Sequence, residues 1–228
     1  MTATPRRIRP QDGQPEAAEF VTIPMALPAS PSEVGHNVAI STGYLGELRE
    51  LLDGLDLAAV DRFTAALQGA RDSGSTIFIA GNGGSSATAA HWVNDLGKAT
   101  RNTSARHMRV IGLSDNVPWL TALANDEGYE RVFSGQIENF ARPGDVLIVI
   151  SASGNSPNIL AAMRTARLHG MEVLALLGFD GGAALELADD AVWVPTAPGK
   201  YGLVESVHSI VCDLVTTCLV IAGVSRQA

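Results

Sequence analysis

Ile77-Phe78-Ile79-Ala80 runs directly into Gly81-Asn82-Gly83-Gly84-Ser85-Ser86, and Val146-Leu147-Ile148-Val149-Ile150 runs directly into Ser151-Ala152-Ser153-Gly154-Asn155-Ser156. In each case a short apolar run stops in small and hydroxyl residues, and a segment of helical character follows. A strand that ends this way at a helix N-terminus is an anion pocket. Backbone N–H groups and the positive end of the helix dipole converge there, and no bulky side chain blocks approach. Two such loops in one chain point to a phosphorylated ligand held from two sides.

Outward from these loops, apolar runs alternate with helical segments. The pattern predicts strands at 76–80, 109–113, 146–150, 172–177 and 191–194, and helices over 85–99, 117–124, 129–140, 156–169, 182–188 and 203–222. Such alternation gives an α/β fold, a three-layer αβα sandwich whose five-stranded parallel sheet is covered on both faces. Both loops then lie at carboxyl ends of strands, where open α/β sheets bind ligands. Upstream, Leu45, Leu48, Leu51, Leu52, Leu55, Val60, Phe63 and Leu67 predict two helices within about 38–70, divided near Asp53-Gly54, the second capped by Asp56. Residues 1–36 hold six of the eleven prolines and show no periodicity, so they read as a flexible tail ahead of a domain over 37–225.

Composition narrows the function classes. The chain has 228 residues, is 46% hydrophobic and carries a net charge of −8, which suits a full core and argues against nucleic acid as a direct ligand. Cys212 and Cys218 stand six apart on one predicted helix, a spacing for neither a disulfide nor a zinc ribbon; reduced thiols in the cytoplasm are the expectation. Apolar Ile210 to Val224 is interrupted by Asp213 and reads as a buried helix, with no membrane span expected. Arg6, Arg7 and Arg9 precede apolar Phe20 to Ala29, but Pro24 and Pro28 break that segment and speak against a secretion signal.

Gly81-x-Gly83 matches half of a dinucleotide fingerprint. Ser86 stands where its third glycine belongs, and no acidic residue closes a second strand at the distance a ribose contact needs. In the second loop one serine, Ser156, suffices to cap a helix that opens with Pro157, which leaves Ser151 and Ser153 for a ligand. His91 and Asp95, four apart, share a helix face and suit a metal or a substrate. Glu205, His208 and Asp213 lie on the C-terminal helix, where polar groups among apolar neighbours are costly without a partner.

Gly81-Asn82-Gly83-Gly84-Ser85 with His91, then Asn125-Asp126, then Ser151 to Asn158, then Gly178-x-Asp180-Gly181-Gly182, resemble the sugar isomerase (SIS) domain family over about 38–222. The branch they most resemble is the phosphoheptose isomerases, which convert sedoheptulose 7-phosphate to D-glycero-D-manno-heptose 7-phosphate. The resemblance implies a flavodoxin-like fold and a homotetramer with sites at subunit interfaces. It implies that Asn82, Gly83, Gly84 and Ser85 border the sugar, that Ser151, Ala152, Ser153 and Ser156 hold the phosphate, and that Asn125 and Asp126 contact substrate. It further implies a divalent metal, zinc by the family pattern, on His91, Asp95, Glu205 and Asp213. Asp95 stands in place of a glutamate that serves as ligand and base, Glu205 in place of a glutamine, and Asp213 in place of a histidine acid; Ala99 falls on an arginine.

Aspartate shortens the reach of a proton-transferring carboxylate by one methylene. Asp95, Glu205 and Asp213 together repel one another without a cation, and a divalent ion relieves that repulsion. A ketose–aldose isomerisation needs a base, an electrophile and a grip on the distant phosphate. Asp95 or Glu205 is the expected base, a metal or His208 the expected electrophile, and the two loops the grip. The alternative is a non-catalytic phosphosugar-binding module, resembling the branch that associates with the bacterial replication initiator. An isomerase for another phosphosugar is a third reading.

Overall fold

The computed structural model describes residues 34–102 and 105–225. All but the last three residues of the expected tail over 1–36 therefore lie outside the described residues; Val34 already begins the first helix. Among the described residues, those up to Ile40 belong to a separate unit, and those from Ser41 onward to the packed one.

Two helices precede the sheet, α1 (Val34–Asp53) and α2 (Leu57–Ser73). The Asp56 side chain accepts hydrogen bonds from Ala58 N and Ala59 N and so caps α2. Then follow β1 (Thr76–Gly81), α3 (Gly83–Lys98), β2 (Arg109–Gly112), α4 (Val117–Asp126), α5 (Ser134–Phe140), β3 (Val146–Ser151), α6 (Pro157–Leu168), β4 (Glu172–Leu177), α7 (Gly182–Leu187), β5 (Asp190–Trp193) and α8 (Tyr201–Ser225).

The five strands are parallel and ordered β2-β1-β3-β4-β5. β1 and β3 are buried at every residue, so both sheet faces must be covered. Alternate residues divide between two cores. Ile77, Ile79, Val146, Ile148 and Ile150 pack with Phe63 of α2, Trp92 of α3 and Val211 of α8. Phe78, Ala80, Leu147 and Val149 pack with Ile137 of α5, Met163 of α6 and Ala184 of α7. The result is the expected three-layer sandwich.

Two expectations change. The helix anticipated over 129–140 is a 3-10 turn at Tyr129–Arg131 followed by α5. Val132 and Phe133, both buried, lie between the turn and the helix. α8 is also longer than expected: Tyr201–Val224 is long and apolar enough to cross a membrane by length and composition, although 44% of its most apolar 18 residues are buried inside the protein. Asp213 interrupts the run without shortening the helix.

Candidate active site

The strand order reverses between β1 and β3. β1 leads into α3 on one face of the sheet, and β3 leads into α6 on the other. The two Gly/Ser loops therefore flank a crevice at the carboxyl ends of neighbouring strands. A cavity of about 150 Å³ opens there, lined by Asn82 and Ser85 of the first loop, Ser151, Ala152, Ser153 and Ser156 of the second, Ile150, and Tyr201 and Glu205 of α8.

The second loop is shaped to donate. Ser151 Oγ accepts from Gly154 N at 3.0 Å and Ser153 Oγ accepts from Asn155 N at 3.3 Å, which leaves each hydroxyl proton free for a ligand oxygen. Ser156 occupies the N-cap of α6 without a side-chain cap bond, so its hydroxyl is also uncommitted to the helix. Gly154 has φ 62°, and a Cβ there would collide with the carbonyl of Gly181. That close approach joins the second loop to the Gly178–Gly182 loop. Asn155 reinforces the junction, donating to Ser153 O and accepting from Ala183 N, both at 3.0 Å.

The first loop is tied to the second by a reciprocal amide pair. Asn82 Nδ2 donates to Asn158 Oδ1 at 2.9 Å, and Asn158 Nδ2 donates to Asn82 Oδ1 at 2.8 Å. Asn82 is the N-cap of α3, yet its side chain makes no cap bond. The first-turn amides of α3 are thus left without a side-chain cap beside the cavity. Glu205 crosses from α8 to lie over Gly84, where a Cβ would collide with its carboxylate.

His91 Nε2 and Asp95 Oδ2 are 3.1 Å apart on α3. With Asp213 of α8 they offer three ligand atoms, all within 4.8 Å of one another. Glu205 is not in this group; it stands in the cavity wall. Zinc holds nitrogen and oxygen donors at about 2.0–2.2 Å, so small rotations of partly exposed side chains bring the trio to coordinating separation. One neutral imidazole and two carboxylates also balance a divalent charge. The set fits a cation. Buried Cys212 neighbours Asp95 and Asp213, but desolvation first and these carboxylates second raise its pKa well above the ordinary thiol range. It is held as a thiol and offers no thiolate.

His208 departs from the sequence reading. It is fully buried, and its Nε2 lies 3.1 Å from the carbonyl oxygen of Leu177. Burial lowers its pKa to about 4, against a smaller opposing contribution from the backbone bond. It is a neutral imidazole fastening α8 to the end of β4, and it is absent from the cavity wall. Asn125 and Asp126 end α4 in exposed positions and bond to each other at 2.7 Å, outside the cavity lining. Gly83 opens α3 beside Asn82.

Sequence reasoning missed Tyr201 and Tyr129. Tyr201 lines the cavity with its ring edge-on to Phe179, centroids 4.9 Å apart. It precedes Glu205 by one helical turn, a spacing that places both on one face. Tyr129 donates its hydroxyl to Asn82 Oδ1 at 3.1 Å from the unforeseen 3-10 turn, and no periodicity announces it.

The SIS domain family matches over residues 43–178. Curated relatives named phosphoheptose isomerase include that of Citrifermentans bemidjiense, 36% identical over 187 residues, 81% of this chain and 92% of the relative. Another, from Chlorobaculum parvum, is 40% identical over 67% of this chain and 73% of its own length. Among solved structures, the phosphoheptose isomerase of Neisseria gonorrhoeae superposes with a TM-score of 0.69 at 27% identity, covering 82% of this chain and 97% of that one. The sugar isomerase domain of an RpiR transcription factor from Sphaerobacter thermophilus, at 19% identity and a TM-score of 0.55, shares the fold alone. With the paired loops, the strand order and these likenesses in agreement, the chain belongs to the SIS domain family and, within it, to the phosphoheptose isomerases.

Proposed function

We propose that the protein is an aldose–ketose isomerase that converts sedoheptulose 7-phosphate to D-glycero-D-manno-heptose 7-phosphate in heptose biosynthesis. One observation carries the reading: a cavity bounded by two phosphate-type loops also holds a carboxylate, Glu205, from a third element. Support comes from relatives that bear this activity in their names along nearly their whole length.

The hydroxyls of Ser151, Ser153 and Ser156, with the first-turn amides of α6, bind the phosphate dianion. Asn82 and Ser85 position the open-chain sugar across the crevice. Glu205 is the base: its carboxylate takes a proton from C1 of the ketose, and the resulting carboxylic acid returns it to C2. The C1–C2 enediol is the intermediate, and its two oxygens exchange one proton as the carbonyl moves. Tyr201 and the apolar wall at Ile150 keep bulk water from this exchange. A divalent cation on His91, Asp95 and Asp213, read as zinc, supplies Lewis-acid polarisation of a carbonyl oxygen when bound.

The protein acts in this reading as a cytoplasmic homotetramer. Ile210, Ile221 and Val224 project from α8 at 39%, 60% and 51% exposure, a row of apolar side chains suited to subunit contact. Free thiols at Cys212 and Cys218 accord with a reducing compartment. The test is incubation of the purified protein with sedoheptulose 7-phosphate, with and without added zinc or manganese, following aldose formation. Turnover is expected. None under any metal condition overturns the proposal.

A further inference from the structure

An asparagine amide facing a sugar can present either its oxygen or its nitrogen, and the two choices select opposite ligand groups. At Asn82 the surroundings make the choice. Oδ1 already accepts twice, from Asn158 Nδ2 at 2.8 Å and from the Tyr129 hydroxyl at 3.1 Å. Nδ2 spends one hydrogen on Asn158 Oδ1 at 2.9 Å, and that oxygen also accepts from Ile159 N at 3.0 Å. Asn158 is 2% exposed and anchored in α6. Both lone pairs of Asn82 Oδ1 are thereby filled, and one N–H is the amide's sole unspent valence.

We infer that Tyr129 is a positioning residue that holds the Asn82 amide as a hydrogen-bond donor to an oxygen of the bound sugar, by occupying the one lone pair of Oδ1 that Asn158 leaves open. Turning both amides over together would satisfy the reciprocal pair again but leave the Ile159 N–H, 3.0 Å from Asn158 Oδ1, without its acceptor, so Asn158 fixes which way the pair faces. The Tyr129 hydroxyl donates into the remaining lone pair of Asn82 Oδ1, so that this oxygen cannot accept from a sugar hydroxyl and the amide presents only its N–H. Tyr129 itself follows Gly128, whose φ of 102° aims the 3-10 turn toward the first loop. The phenol ring is 55% exposed, so its role lies in the hydroxyl and not in core packing.

This inference rests on the reading of the cavity as a phosphosugar site, and two measurements keep the two apart. The first uses no ligand. In protein labelled with 15N at asparagine, the Asn82 side-chain amide protons should exchange with solvent about 10-fold faster in Tyr129→Phe than in the unaltered protein. Equal exchange overturns the inference whatever sugar the protein acts on. The second is steady-state kinetics on sedoheptulose 7-phosphate. Tyr129→Phe should raise KM about 5- to 10-fold with kcat within 2-fold, while the affinity for inorganic phosphate measured by calorimetry stays unchanged. An unchanged KM, or an equal loss of phosphate affinity, overturns it. Faster amide exchange in a protein with no turnover supports the positioning role and counts against the isomerase reading only.

Discussion

Glu205 occupies the position at which the resemblance places a glutamine, and its carboxylate rather than its length distinguishes it. Glu205→Gln keeps the shape and removes the proton acceptor. If Glu205 is the base, kcat should fall at least about 100-fold with KM nearly unchanged, measured by aldose formation. A fall below about 3-fold would return the role to Asp95. His208 answers to a different measurement. Its folded-state pKa of about 4 lies below the unfolded 6.5, so below pH 6.5 the unfolded chain takes up a proton that the native protein refuses. Stability is therefore fully present above about pH 6.5 and is lost as pH falls toward 4, by about 3 kcal/mol in total. Urea unfolding at pH 7.5 and pH 5 should show about 2 kcal/mol of this loss in the unaltered protein and a smaller loss in His208→Gln.

At the scale of elements, buried polar bonds fasten α8 to its neighbours. Trp92 Nε1 donates to Thr216 Oγ1 at 3.1 Å, joining α3 to α8. Arg71, 1% exposed near the end of α2, donates to the carbonyls of Arg106 at 2.7 Å, Thr100 at 3.1 Å and Leu219 at 3.4 Å. Arg71→Met leaves these acceptors without their donor and should cost about 3 kcal/mol in chemical denaturation. Thr216→Val orphans one indole N–H and should cost about 1–2 kcal/mol. Neither residue lines the cavity, so activity per folded molecule should persist. The strands were legible because buried parallel strands are continuous apolar runs, and Ile77–Ala80 and Val146–Ile150 are such runs. The loops were legible because small hydroxyl residues after such runs have few other uses. Tyr129 was not, since its place depends on a 3-10 turn that follows Gly128 and has no hydrophobic periodicity of its own. His208 misled for a related reason. A lone imidazole on an apolar helix resembles a ligand until a partner is seen, and its partner is a backbone carbonyl more than thirty residues away in sequence. The candidate cation ligands were legible in part: a four-residue spacing pairs His91 with Asp95, Asp213 joins them in sequence only through the family resemblance, and the packing of α8 on α3 is what brings it near.

For the whole molecule, the outward apolar row on α8 makes assembly testable apart from chemistry. Ile221→Glu should shift the sedimentation coefficient toward that of a smaller species, since a charge at a subunit contact without a partner is strongly disfavoured. Ile221 follows Glu205 by more than four turns, so the local cavity should keep its phosphate affinity. Metal content provides a second check on the molecule as isolated. Inductively coupled plasma analysis should find about one divalent ion per chain, reduced in Asp95→Ala and Asp213→Ala and retained in Tyr129→Phe.

α8 carries Tyr201 and Glu205 into the cavity near one end, Asp213 to His91 and Asp95 in the middle, and Ile221 and Val224 to the outside near the other. A rigid rod that serves three sites transmits a push at any one of them to the other two. Dilution is such a push. In the proposed assembly, a drop in concentration below that needed for association removes the neighbour that braces the far end of the rod. Specific activity should then decline with dilution before any unfolding is detected. Phosphosugar or metal, by steadying the near end, should hold the assembly together at concentrations where the empty protein comes apart.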